Sequence, residues 1–342
     1  MRALTPYTLK RHDHEVKIDQ NENPFDLPEE IKEEVLAFAR ERVWSRYPDF
    51  VPEDLLEKLA EHLGWTASGV LAGNGSNELI QATLMVTARP GARVVIPTPT
   101  FTVYRLMATV LGAEAVKVYL KEDYTFDVEA LREAARGADV LIVCSPNNPT
   151  GCVLSNEDLR SILEVTDALV MVDEAYHEFW GETCMGMMPE YRNLVVLRTF
   201  SKAFGLAGLR VGCLAAHPEV AAEISKGKLP YNLNFFSQAA AMVALENPQV
   251  LQEQAEYIKA QRERVYRRMQ EIDGVTVYPS WANFLLFETE RSPGEVFEGL
   301  LAHGVLIRDV SRYPMLSKAL RVTIGTAEEN ERFLEGLERA LR

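Results

Sequence analysis

"TFSKAFGLAGLR", residues Thr199 to Arg210, sets a lysine between the apolar run Leu194-Val195-Val196-Leu197 and a glycine-punctuated apolar segment. Lys202 is then either a solvated amine at the end of a strand or a buried amine kept for its chemistry. The rest of the chain decides between the two.

Working outward, short β-branched runs recur at 93–96, 115–119, 140–144, 169–172, 194–197 and 211–215. Helical stretches at 53–63, 79–87 and about 104–111 lie between or before them. Near-continuous apolar strands separated by helices predict a largely parallel sheet covered on both faces, an α/β fold. From about Asn247 the texture changes to a long charged helix over 250–272, then strands at 275–278, 284–288, 305–308 and 319–324, with helices at 294–303 and 328–341. That pattern predicts a large domain over 46–246 and a smaller α+β domain over 247–342. Residues 1–45 are expected to form an arm that packs on the smaller domain or on a partner.

The bulk composition narrows the function. Lys and Arg total 36 against 50 Asp and Glu in 342 residues, a formal charge of −14. A general nucleic-acid binder needs a basic face, so that class is disfavoured, although a local basic pocket for a small anion is not. Cys144, Cys152, Cys184 and Cys213 show no CxxC pair and no zinc-ligand spacing, and Cys144 and Cys213, in apolar strand-like runs, read as buried free thiols. The polar N-terminus and the absence of a long apolar run point to a cytoplasmic protein. His12 and His14 form an HxH pair with no third ligand indicated, so no metal is expected. His177 is read as packing near the site, and Trp180, Trp281 and Met185–Met188 as packing residues.

Three loops follow strands of the expected sheet: "SPNNPTG" (145–151), "DEAY" (173–176) and "TFSK" (199–202). Singly, each has an ordinary reading as a turn, a helix cap or a solvated amine. Together at the carboxyl edge of one parallel sheet, where ligands bind in open α/β folds, they form a constellation. In Gly75-Ser76-Asn77, a glycine-rich helix start offers N–H groups and a positive dipole end to a phosphate. Ser201 and Arg210 could add a hydroxyl and a bidentate guanidinium. Asp173, after three apolar residues, could stabilise a protonated ring nitrogen. Tyr176 and Asn148 could donate to an oxygen on that ring, and Tyr104 could stack on its face. Lys202 would be an amine of lowered pKa that forms a Schiff base. A phosphate cradle, a carboxylate and a buried lysine together describe a pyridoxal phosphate site.

With those residues in view, the chain resembles fold-type I aminotransferases, and most closely the histidinol-phosphate aminotransferase family. "NENP" (21–24), "RYP" (46–48), "GNGSNE" (73–78), "SPNNPTG", "DEAY", "TFSKAFGLAGLRVG" (199–212) and "LRVTIGT" (320–326) occur in the family's order across nearly the whole chain. The resemblance implies that Lys202 carries pyridoxal 5'-phosphate, with Asp173 on the pyridine nitrogen and Tyr176 and Asn148 on the ring oxygen. It places Gly75, Ser76, Asn77, Tyr104, Thr199, Ser201 and Arg210 around the cofactor, and Tyr47 on the cofactor phosphate of a neighbouring subunit in a homodimer. It assigns Tyr7, Asn23, Arg308 and Arg321 to substrate. The implied reaction is ping-pong transamination of L-histidinol phosphate with 2-oxoglutarate, giving imidazole acetol phosphate and glutamate, in histidine biosynthesis. An aromatic amino-acid aminotransferase would use the same lysine and Arg321. A decarboxylase of a phosphorylated amino acid shares the fold, and a non-catalytic scaffold would be marked by loss of Lys202. Two departures stand out: Phe101 sits where the family often has tyrosine, and the N-terminal segment is short but keeps "TPY" (5–7).

Overall fold

The computed structural model describes residues 11–342. The chain enters through a two-residue strand, β1 (Val16–Lys17), before building its main sheet. That sheet has seven strands: β2 (Val70–Asn74), β3 (Arg93–Thr98), β4 (Glu114–Tyr119), β5 (Val140–Cys144), β6 (Leu169–Asp173), β7 (Leu194–Thr199) and β8 (Val211–Ala216). Their order is β2-β8-β7-β6-β5-β3-β4, parallel throughout except for β8, which runs antiparallel to both of its neighbours. The sequence reading missed β2, because "VLAGN" carries only three apolar residues before its glycine. Since β2 and β7 both oppose β8, β2 ends at the same edge as the parallel strands. The helix Ser76–Thr87 therefore starts beside the loops after β5, β6 and β7.

Side-chain alternation divides the sheet's two faces. Leu141, Val143, Val170, Val172, Leu194 and Val196 enter one core, while Val140, Ile142, Cys144, Met171, Val195 and Leu197 enter the other. The same alternation sends Asp173 and Glu174 to opposite sides. On the face away from Asp173, Glu174 meets Arg198, Nη2 to Oε2 at 3.0 Å, with both side chains buried. Glu174 also accepts from Thr183 Oγ1 at 2.8 Å and from the backbone N–H of Cys184 at 2.7 Å.

After Asn247 comes the helix Pro248–Gln270, followed by β9 (Val275–Val277), β10 (Phe284–Thr289), β11 (Val305–Leu306), β12 (Arg308–Asp309) and β13 (Ala319–Thr323). Four of these strands form an antiparallel sheet in the order β12-β13-β10-β9. The single strand expected over 305–308 is divided: β11 pairs in parallel with β1, and β12 pairs with β13. The N-terminal arm is divided too. Residues 15–18 dock on β11, whereas the helix Glu29–Glu41 turns Ile31 and Val35 into the core shared with Ala239, Ala240 and Val243. Its apolar stripe at i, i+4 and i+8 (Ile31, Val35, Ala39) gives the physical reason, since that face needs a helical surface to cover it. Among the described residues no helix is long and apolar enough to cross a membrane.

Replacing Glu174 by alanine strands the buried Arg198 guanidinium, a loss expected to cost about 3–5 kcal/mol. Replacing both partners with well-packed apolar residues is expected to recover most of it. Urea unfolding of the single and double variants measures both.

Candidate active site

At the carboxyl edge of the main sheet lies a cavity of about 210 Å³. Lys202, Asp173, Tyr176, Asn148, Tyr104, Ser76, Asn77, Thr199, Ser201, Arg210 and Arg321 all line it, so residues from loops spread over some 245 positions meet in one place. Asp173 and Thr199 are the last residues of adjacent strands β6 and β7, and the turn after β2 delivers Ser76 and Asn77. Asn147, wholly buried, ties the neighbouring loops together. It donates to Pro99 O at 3.0 Å and Thr150 Oγ1 at 2.8 Å, and accepts from Thr100 Oγ1 at 2.6 Å.

One end of the cavity is built for an anion. Gly75 adopts φ 74°, and a Cβ there would collide with the Arg210 guanidinium. Glycine is thus what lets the arginine cross the start of the helix Ser76–Thr87. The first N–H groups of a helix have no partner within it. Arg210, itself at φ 55°, donates from Nη1 to Ser201 Oγ at 3.0 Å and to Ala207 O at 3.1 Å. Gly212 packs against Gly75 and Ser76 so closely that a Cβ would meet the Gly75 carbonyl carbon at 2.6 Å. Two serine hydroxyls, helix-terminal N–H groups and one guanidinium form a cradle suited to a phosphate.

Lys202 stands in the middle. Its Nζ donates to Gln20 O at 2.8 Å, from the N-terminal arm. Burial, and then the positive charges of Arg321 and Arg210, bring the amine down to about 7, while Glu22 opposes them. Asp173 is pushed up to about 6 by burial, against hydrogen bonds from Tyr104 and the Ala175 N–H and with the charge of Glu174 adding to the rise. The Tyr176 oxygen accepts from Asn21 Nδ2 at 3.0 Å and Asn148 Nδ2 at 3.3 Å, which leaves its own proton free to donate. Arg321 closes the cavity from β13, donating from Nη1 to Asn148 Oδ1 and from Nη2 to Asp19 O, each at 2.6 Å.

Several expected residues lie elsewhere. Asn23 does not line the cavity: its Nδ2 donates to Ala203 O at 2.9 Å and Gln254 Oε1 at 2.8 Å, so it braces the loop carrying Lys202 from behind. Arg308 sits directly across from Arg321 in the β12–β13 register, at the cavity's margin rather than on its wall. Tyr47 is 80% exposed and stacks on Tyr231 with ring centroids 4.5 Å apart. Tyr7 lies outside the described residues. Tyr104 is wholly buried with its hydroxyl committed to Asp173, and the half-buried Phe101 offers the more open aromatic face. The sequence reading also missed Asp19, Gln20 and Asn21. Only Asn21 carried a signal: asparagine tolerates the left-handed backbone, φ 55°, that it adopts here. Among the described residues no group of three or more His, Cys, Asp or Glu could hold a metal ion.

The sequence model described as aminotransferase class I and II matches residues 13–337. A histidinol-phosphate aminotransferase of Chlorobaculum tepidum is 41% identical over 328 residues, which is 95% of this chain and 94% of that one. The crystal structure of the histidinol-phosphate aminotransferase from Clostridium acetobutylicum aligns with a TM-score of 0.88 at 25% identity, covering 94% of this chain and 98% of that one. The Sinorhizobium meliloti histidinol-phosphate aminotransferase, solved in complex with pyridoxal-5'-phosphate, shares the fold with a TM-score of 0.88 at 24% identity, over 96% of this chain and 91% of that one. The architecture is fold-type I, and the chain belongs to the aminotransferase class I and II family.

Proposed function

We propose that the chain is a pyridoxal-phosphate-dependent aminotransferase that moves the amino group of L-histidinol phosphate to 2-oxoglutarate, giving imidazole acetol phosphate and glutamate in histidine biosynthesis. The observation that carries the reading is Lys202, a half-buried amine of lowered pKa that lies in one cavity with an anion cradle and a buried carboxylate. The donor set fits the cofactor: Ser76, Asn77, Ser201 and Arg210 for the phosphate, Asp173 for the ring nitrogen, and Tyr176 and Asn148 for the ring oxygen. Thr199, on the cavity wall, would border the ring, and Gly75 keeps the cradle open. Bound there, pyridoxal 5'-phosphate supplies a carbonyl that exchanges amino groups and an electron sink.

The chain's own residues do the rest. Lys202, half neutral near pH 7, would hold the cofactor and would take the proton from the substrate's amine-bearing carbon. Asp173 would hold the protonated ring nitrogen and so would stabilise negative charge drawn into the ring. Arg321, with Arg308 beside it in register, receives the phosphate of one substrate and a carboxylate of the other. The half-buried ring of Phe101 takes the stacking role first given to Tyr104.

The reading extends to assembly and setting. The exposed aromatic surface of Trp44, Tyr47, Phe50 and Tyr231 suits an interface with a second copy, through which Tyr47 would reach the partner's cofactor phosphate. The parts 46–246 and 247–342 would act as large and small domains, with 1–45 joining both. Four buried, unpaired cysteines suit a reducing cytoplasm.

Cofactor capture by the cofactor-free enzyme is expected to rise about tenfold per pH unit up to about 7 and then level off, because only the neutral amine reacts. Stopped-flow absorbance measures this, and a midpoint above 9 contradicts the lowered pKa. Lys202→Ala is expected to cut turnover by at least about 10²–10⁴-fold. Histidinol phosphate without a keto acid should bleach the bound cofactor's visible absorbance at low concentration, with phenylalanine far weaker. Efficient bleaching by phenylalanine and none by histidinol phosphate points to an aromatic aminotransferase instead.

A further inference from the structure

Asp173 is 4% exposed, yet its role requires it to stay anionic. A carboxylate taken from water this far favours its neutral form unless donors hold the charge. Two do. The Ala175 N–H reaches Oδ1 at 3.1 Å, and the Tyr104 hydroxyl reaches Oδ2 at 2.6 Å. The second is the shorter, and it comes from a side chain that is itself fully buried. Phe101 holds the Tyr104 ring edge to face, with centroids 5.5 Å apart at 84°. Burial raises the Tyr104 phenol well above its ordinary value, so it donates its proton to Asp173 and keeps it across the working pH range.

The other groups around Asp173 do not substitute. Cys144, its register partner on β5, is a buried thiol kept neutral. Glu174, next along the chain, points to the opposite face and is tied to Arg198. The cations of the same cavity donate elsewhere: Lys202 to Gln20 O, Arg210 to Ser201 Oγ and Ala207 O, and Arg321 to Asn148 Oδ1 and Asp19 O.

We infer that Tyr104 is a positioning residue for the transamination: its hydroxyl, bonded to Asp173 Oδ2, keeps the carboxylate anionic and aimed, and so keeps the shared proton on the cofactor's ring nitrogen. Without that donor the carboxylate becomes more basic, and the proton moves from the ring nitrogen toward Asp173. The inference rests on the cofactor reading above and adds a residue that acts only through Asp173.

The test loads the enzyme with pyridoxal phosphate carrying ¹⁵N in its ring and compares wild type, Tyr104→Phe and Asp173→Asn at one pH. In Tyr104→Phe the ¹⁵N resonance is expected to move toward the unprotonated-ring position. Its kcat should fall about 10- to 100-fold, with the substrate KM little changed and the visible absorbance of the Lys202-attached cofactor retained. Placing 3-fluorotyrosine at position 104, a stronger donor of nearly the same shape, should move the resonance the opposite way, and this keeps the test open if Tyr104→Phe folds poorly. A wild-type resonance and a kcat within twofold in both variants overturn the inference alone. If Asp173→Asn also leaves the resonance unmoved, Asp173 does not hold the ring nitrogen, and the inference falls with that reading.

Discussion

The hydrogen bond from Lys202 Nζ to Gln20 O is the contact on which the arrangement of the site depends. A half-buried amine in a cavity loses hydration, and two nearby arginines disfavour its charged form further. The structure answers with one backbone carbonyl instead of a carboxylate. A paired carboxylate would hold the lysine permanently protonated and unreactive, whereas a carbonyl steadies the amine and leaves its proton removable. Nucleophile and base chemistry both need that condition.

Gln20 belongs to a short stretch whose backbone acts as the site's inner wall. Asp19 O takes Arg321, Gln20 O takes Lys202, and Asn21 O takes Asn283 Nδ2 at 3.1 Å. Asn21 also lends its side chain to Tyr176 and to Thr323. The stretch is anchored outside the cavity by β1 on β11 and by Thr323 N–H on Ile18 O at 2.9 Å. The N-terminal segment, the main sheet and the C-terminal sheet therefore meet at this cavity, and each supplies part of it. Asn23, two residues farther on, buttresses Ala203 and so sets the position of the lysine beside it.

Much of this was legible in the chain. The apolar strands β5, β6 and β7 stood out because both faces are buried, and the chemistry-bearing loops follow them directly. Asp173, Tyr176, Asn148, Lys202 and Arg210 could be placed at one edge for that reason. Less legible were the features fixed by distant pairing. β2 is short and glycine-ended, and only its partnership with β8 makes it a strand. The run at 305–308 reads as one strand but serves two partners, because Ile307 carries the chain from β1 to β13. Tyr104 could be identified as a cavity aromatic, but not as the donor to Asp173, since no spacing rule joins residues 69 positions apart. Backbone carbonyls of 19–21 carry no side-chain signature at all, so that wall could not be foreseen.

Borohydride reduction of the cofactor-loaded enzyme, followed by proteolysis and peptide mass mapping, tests the central claim most directly. The result expected is a stable pyridoxyl label on the peptide spanning Thr199–Arg210, located at Lys202 and absent from the other lysines. A label fixed on another lysine, or none on an enzyme that turns over, contradicts the assignment of Lys202 as the amine around which the site is built.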